Sequence, residues 1–140
     1  MKVTSDSLIG KRIINLYENV ITEFGGIDQG EIFLSLDTGE TICFPNSLSY
    51  KNQVVSENDL TNHPSIFDEL YTLGADWTIR DLLEPDEQFL SNPYVELECG
   101  LLLTEEPVSP HGTGMAGLKF YKNIEAFESV FGKEYSRLSE

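Results

Sequence analysis

The fold turns on one stretch, Lys11-Arg12-Ile13-Ile14-Asn15-Leu16-Tyr17-Glu18-Asn19-Val20-Ile21-Thr22-Glu23-Phe24, because two periods compete within it. At 3.6 residues per turn, Asn15, Glu18, Asn19, Thr22 and Glu23 share a face opposite Ile13, Leu16, Tyr17, Val20 and Phe24, as in an amphipathic helix. Against that stand the Ile, Val, Thr and Tyr content, which suits a pleated surface, and the flanking glycines, Gly10 before and Gly25-Gly26 after. The sequence predicts a strand here. A hairpin partner follows: Ile32, Leu34 and Leu36 alternate with Phe33 and Ser35, Asp37-Thr38-Gly39-Glu40 supplies a turn, and Thr41-Ile42-Cys43-Phe44 returns. Pro45 ends it, since proline has no N–H to give to a ladder.

Working outward, Asn46 to Asp59 is polar and reads mainly as loop. Pro64 suits a first helical position behind Asn62 or His63, and Ile66, Leu70 and Leu73 form an apolar i, i+4, i+7 stripe ending at Gly74. Asp68 and Glu69 lie off that stripe near the helix start, where the macrodipole favours them. Trp77-Thr78-Ile79-Arg80 reads as a brief strand, and Asp81 to Glu87, interrupted by Pro85, as a loop. Tyr94 to Thr104 reads as one strand, with Val95, Leu97, Cys99, Leu101 and Leu103 inward and Tyr94, Glu96 and Glu98 outward as far as Gly100. Gly117 to Lys122 reads as a further strand. Asn123 then caps a last helix whose Ile124, Phe127, Val130 and Phe131 face inward until Gly132. The expected fold class is α+β, a mostly antiparallel sheet of about five or six strands with two short helices packed on one face. At 140 residues and 40% hydrophobic, the chain has material for one core and is expected to form a single domain.

Charge is distributed unevenly. Between Asn52 and Gly112 stand thirteen carboxylates (Glu57, Asp59, Asp68, Glu69, Asp76, Asp81, Glu84, Asp86, Glu87, Glu96, Glu98, Glu105, Glu106) and one cation, Arg80, so this stretch holds most of the net −15. Ten Ile and eight Asn against three Ala suggest an AT-rich coding bias, which would ordinarily bring lysines, yet there are six. The shortage of Lys fits selection for charge; a salt-adapted source would give the same surplus. Net charge bears on partners and association rates rather than on fold.

The motifs that carry chemistry are weak. Gly112-Thr113-Gly114-Met115-Ala116-Gly117 has the G-x-G-x-x-G spacing, but it follows the loop Pro107 to His111 and precedes β-like Leu118-Lys119-Phe120-Tyr121, the wrong context for a dinucleotide fingerprint. His63 and His111 stand alone, and no H-x-x-x-H, C-x-x-C or G-x-S-x-G occurs. The pairs Asp86-Glu87 and Glu105-Glu106 could serve as acid and base or hold a divalent cation, but solvated surface is the simpler reading. No cofactor, metal or catalytic residue is expected. Cys43 and Cys99 sit among apolar neighbours, as small hydrophobes do. Nine basic residues without a cluster disfavour nucleic acid. No apolar run approaches a membrane span and Met1 to Asp6 lacks a signal layout, so the expected setting is the cytoplasm.

In size, acidity, absence of catalytic residues and α+β pattern, the chain resembles the immunity proteins of bacterial toxin systems, including contact-dependent inhibition and polymorphic toxins. Leu8-Ile9-Gly10-Lys11 with Ile32-Phe33-Leu34-Ser35-Leu36-Asp37-Thr38-Gly39-Glu40 is similar to the β-rich starts of such small bacterial proteins. The resemblance implies a basic protein partner, a toxin domain of nuclease type, bound by a monomer. The expected docking residues are Asp81, Glu84, Asp86, Glu87, Glu96, Glu98, Glu105 and Glu106, with Tyr94, Phe89 or Tyr71 as apolar anchors. The alternative is a secretion chaperone of the type III kind, small, acidic and dimeric, which would begin with an amphipathic helix and so needs Lys11 to Phe24 to be helical.

Overall fold

Backbone pairing makes the opening stretch extended. The computed structural model describes residues 2–23, 27–45, 48, 51–61, 63, 65–86, 93–105 and 118–140. In it β1 (Lys2–Thr4), β2 (Ile13–Glu23), β3 (Ile27–Leu36), β4 (Thr41–Cys43) and β5 (Lys51–Val55) form an antiparallel sheet in the order β1-β5-β4-β3-β2. The β2 to β3 register shifts between Ile13 and Asn15. This bulge gives β2 one extra residue, so Ile13 and Leu16, three apart, are both buried while Ile14 stays 46% exposed. The local spacing that imitates a helix is thus the imprint of a bulge. In the β3 to β4 turn, Gly39 takes φ +101°, which only glycine adopts without strain.

Asn46 to Asp59 is less of a loop than its polarity suggests. β5 lies inside the sheet, and its buried Asn52 is accommodated because its amide donates to Val3 O (3.1 Å) and Ser5 Oγ (3.3 Å). A 3-10 turn, Glu57–Leu60, follows. The helix expected from Pro64 onward is α1, only Phe67–Tyr71; Pro64 and Asn62 lie outside the described residues. Ile66 and Leu70 of its stripe are buried, whereas Leu73 is exposed because the chain turns away at Leu73 N–H to Leu70 O (2.9 Å).

A second antiparallel sheet contains β6 (Ile79–Pro85), β7 (Tyr94–Leu97), β8 (Leu102–Glu105), β9 (Leu118–Tyr121) and β10 (Tyr135–Arg137), in the order β10-β6-β7-β8-β9. Three expectations change here. The acidic run from Asp81 is mostly strand. Tyr94 to Thr104 is two strands, because a turn at 98–100 with Gly100 at φ +97° intervenes, and buried Leu97 and Leu101 on either side keep the alternation going. β10 is a three-residue strand, too short to show a period.

The fold is α+β and antiparallel as expected, in two five-stranded sheets rather than one. One apolar cluster draws on both: Leu16, Ile32, Leu34 and Ile42 from the first, Ile79, Leu82, Val95 and Leu103 from the second. The sheets also meet at a corner, where Arg12 bridges Thr78 and Ile13 N–H donates to Trp77 O (3.0 Å). The helices do not share a face. α1 sends Leu70 into the common core, while α2 (Ile124–Phe131) lies across the other side of the second sheet, where Phe127 packs with Leu83, Tyr94 and Leu102. Asn123 caps α2 by accepting from Ala126 N–H (2.8 Å) and Gly132 ends it. Val130, expected inward, is 60% exposed. The G-x-G-x-x-G string at 112–117 and His111 lie outside the described residues, as do Gly25 and Gly26. Among the described residues no helix is long and apolar enough to cross a membrane.

Candidate functional site

The carboxylates singled out from sequence do not assemble on one surface. Asp81 and Glu96 are register partners across β6 and β7, and both are 3% exposed. They share Arg137 of β10, whose Nη1 donates to Asp81 Oδ2 (3.3 Å) and Glu96 Oε1 (2.9 Å). Asp81 also accepts from Leu82 N–H (2.9 Å), Ser139 N–H (3.1 Å) and Ser139 Oγ (2.6 Å). Burial opposes the charge on Arg137, but its bonds to Glu96, Tyr135 and Asp81 outweigh that and keep the guanidinium charged. Tyr94 is 1% exposed beneath α2. These three residues are therefore corrected from docking groups to interior ones. Period two fixes which side of a sheet a residue faces, but not whether a second layer covers that side, and here α2 and β10 do.

Of the others, Glu84, Asp86 and Glu105 lie toward one end of the second sheet and Glu98 at the opposite end. Glu98 sits in the β7 to β8 turn and accepts from Arg80 Nε (3.2 Å), both side chains nearly half exposed. Glu105 accepts from Ile32 N–H (2.7 Å) and so links the two sheets. Glu84 accepts from Leu48 N–H (3.3 Å). Asp86 is exposed, at the rim of a shallow hollow shared with Pro85, Val130, Phe131 and Glu134. Glu87, Phe89 and Glu106 lie outside the described residues.

Uncompensated charge concentrates elsewhere. From Asn52 to Ile79 the sequence has no Lys or Arg, and Glu57, Asp59, Asp68, Glu69 and Asp76 are all exposed. Among the described residues Asp59, Asp68 and Glu69 take part in no ion pair.

Beside these carboxylates runs a groove of about 580 Å³ between the start of β2 and α1. Its apolar wall is Ile14, Phe67 and Tyr71; its polar end is Arg12, Asp76 and Thr78. Phe67 and Tyr71 are one helical turn apart and therefore project to the same side of α1, while Leu70 anchors the helix below. Trp77 is fully buried behind them, edge-on to Phe67 at 5.1 Å, with its indole N–H on Gly74 O (2.8 Å). Tyr71 Oη donates to Ala75 O (2.6 Å), and Asp76 Oδ1 accepts from Thr78 N–H (3.1 Å), which with nearby Arg12 and Arg80 holds its carboxyl below the usual range. Gly74 leaves no room for a side chain, since a Cβ would stand 2.7 Å from Cys99 Sγ. Tyr71, one of three alternative anchors named from the sequence, is exposed and lines this groove. Ile14 is not legible there, because its exposure depends on the bulge.

The outer face of the first sheet carries a polar network. Tyr17 Oη donates to Glu57 Oε1 (3.1 Å), Ser35 Oγ to the same oxygen (3.2 Å), Asn15 Nδ2 to Tyr17 Oη (2.9 Å), and Ser65 Oγ to Asn15 Oδ1 (2.7 Å). Burial and then Glu57 raise the Tyr17 phenol above its ordinary value, which keeps it a donor. The network ties the 57–65 segment to β2 and β3. His63, expected at a helix start, instead packs its ring 5.5 Å from Phe33. Among the described residues no three His, Cys, Asp or Glu converge as a metal site. Set against known proteins, the chain matches no family model, no curated protein and no solved structure.

Proposed function

We propose that this chain is an acidic binding protein that neutralises a basic protein partner, in the manner of an immunity protein blocking a cognate bacterial nuclease toxin. The observation that carries the reading is the exposed run of Glu57, Asp59, Asp68, Glu69 and Asp76, in a stretch of sequence without Lys or Arg, together with exposed Tyr71 and Ile14; Asp76 alone of the five has Arg12 and Arg80 nearby. An apolar centre bordered by one sign of charge is how interfaces divide labour: rings set residence time, charge sets encounter rate. Exposed Asp86 and Glu98 add negative charge outside this run. The amphipathic opening helix that the secretion-chaperone alternative calls for is a strand in this chain, and no observation favours that reading.

The test is calorimetric titration against the protein encoded beside this one, with nuclease activity followed in parallel. A cationic protein that binds, loses activity and binds less tightly as salt rises supports the proposal. Joint Asp59→Lys, Asp68→Lys, Glu69→Lys and Asp86→Lys replacement is expected to weaken association about 100-fold or more. Unchanged affinity at low salt overturns it. Glu96→Lys is unsuitable for this purpose, because it would place two cations against one buried carboxylate, Asp81, and test the fold instead.

A further inference from the structure

We infer that the groove between β2 and α1 receives a basic segment of the partner, an arginine or lysine beside an apolar side chain. This rests on the reading of the chain as a binder of a basic protein and names the place where that protein inserts. The apolar wall accounts for one half of the ligand. Ile14 and Tyr71 are 46% and 41% exposed although each borders a concave surface, and covering them removes apolar area from water. The wall is also fixed in place. Tyr71 is tied through its hydroxyl to Ala75, Phe67 is braced by Trp77, and the Gly74 backbone lies against Cys99, so little order has to be gained on binding.

Charge accounts for the other half. Asp76 forms the polar end, and Asp68 and Glu69 follow Phe67 on the same helix with no cation in the sequence from Asn52 to Ile79. An anionic ligand would meet Asp76 at the polar end and Asp68 next to Phe67, whereas Glu69, two positions after Phe67, projects to the other side of α1 near Glu18. A long basic side chain satisfies both halves, its methylene stem lying on Phe67 and Tyr71 and its charge toward the carboxylates. Arg12 is the exception at this site. It lines the end near Asp76, so it repels a cation there and leaves the α1 side as the favourable seat.

Trp77 is the single tryptophan of the chain and stands directly behind the wall, so its emission reports on the groove. The probe is a short tryptophan-free peptide with two arginines flanking a leucine, compared with peptides carrying glutamate or serine in their place. The expected result is a saturable, salt-sensitive change in Trp77 emission with the arginine peptide only. Tyr71→Ser should weaken it roughly tenfold, Tyr71→Phe should preserve it as the control for folding, and Arg12→Ala should strengthen it. Asp86→Asn should leave it unaltered. Equal response to the serine or glutamate peptide, or a Tyr71→Ser variant that is folded and binds like the parent, overturns the groove assignment. Such an outcome leaves the acidic-binder reading to its own charge-reversal test. Failure of that test, with the peptide still bound in the groove, removes the partner and with it the assignment.

Discussion

Glu18 lies on β2 with 4% of its surface exposed, and its Oε2 has no hydrogen-bond partner among the described residues. Burial, and then the nearby Glu69 carboxylate, push its pKa up to about 7. A carboxyl that is harder to ionise in the fold than in the unfolded chain holds its proton better when folded. Its stabilising contribution is therefore complete below the ordinary glutamate value near 4.5 and is lost as pH rises through about 7. Integrated over that window the loss amounts to up to about 3 kcal/mol. Glu18→Gln keeps the shape without the charge and is expected to be more stable than the parent at pH 8 while nearly equal to it at pH 5. Urea denaturation at the two pH values checks this; the same difference at both would mean that Glu18 is ionised throughout. Glu40 and Asp76, whose carboxyls are held low, change protonation only in more acidic solution and do not mask the effect.

At the scale of elements, α2 illustrates how local signals and tertiary packing combine. Asn123 and Gly132 mark its ends in the sequence, but its stability comes from Phe127, which is fully buried and packs edge-to-face with Tyr94 (5.0 Å) and Tyr135 (5.2 Å) and tilted against Phe131 (4.9 Å). Phe127→Ala is expected to cost about 3–5 kcal/mol, whereas Asn123→Ala costs about 1. Equilibrium unfolding separates the two, and similar losses would mean that α2 is held by its cap rather than by its rings. The elements legible in the sequence share this kind of punctuation: the β3 to β4 turn at Gly39, the cap of α2, the β-branched content of β2. Those that were missed lack it. β5 is hidden by its polar Asn52 and Gln53, β6 by Asp81, which is neutralised only once β10 brings Arg137 alongside, and β10 by its brevity. Asp81, Tyr94 and Glu96 read as outward in the sequence for the same reason. Which carboxylates remain in water depends on layers contributed by distant parts of the chain, and no local pattern encodes them.

For the molecule as a whole, a net charge of −15 over 140 residues carries a self-repulsion that salt relieves. Raising ionic strength from 0.01 to 0.15 M shortens the screening length from about 30 Å to about 8 Å. Exposed carboxylates along 57–76 that interact across such distances should then cease to oppose folding, and the thermal midpoint should climb by a few degrees, about 1 kcal/mol of stability for a domain of this size. Asp59→Lys with Asp68→Lys should remove a large part of the climb by supplying cations where the sequence has none. Sodium chloride is the appropriate titrant, because sulfate also strengthens apolar burial. The shape of the curve separates the two origins of the charge surplus. Repulsion within a docking surface is screened out by physiological salt and the midpoint then levels off, whereas a chain adapted to a salt-rich cell goes on gaining stability into the molar range. A midpoint indifferent to salt at every concentration would mean that these carboxylates do not act on one another, and a surface with so weak a field could not steer a basic partner either.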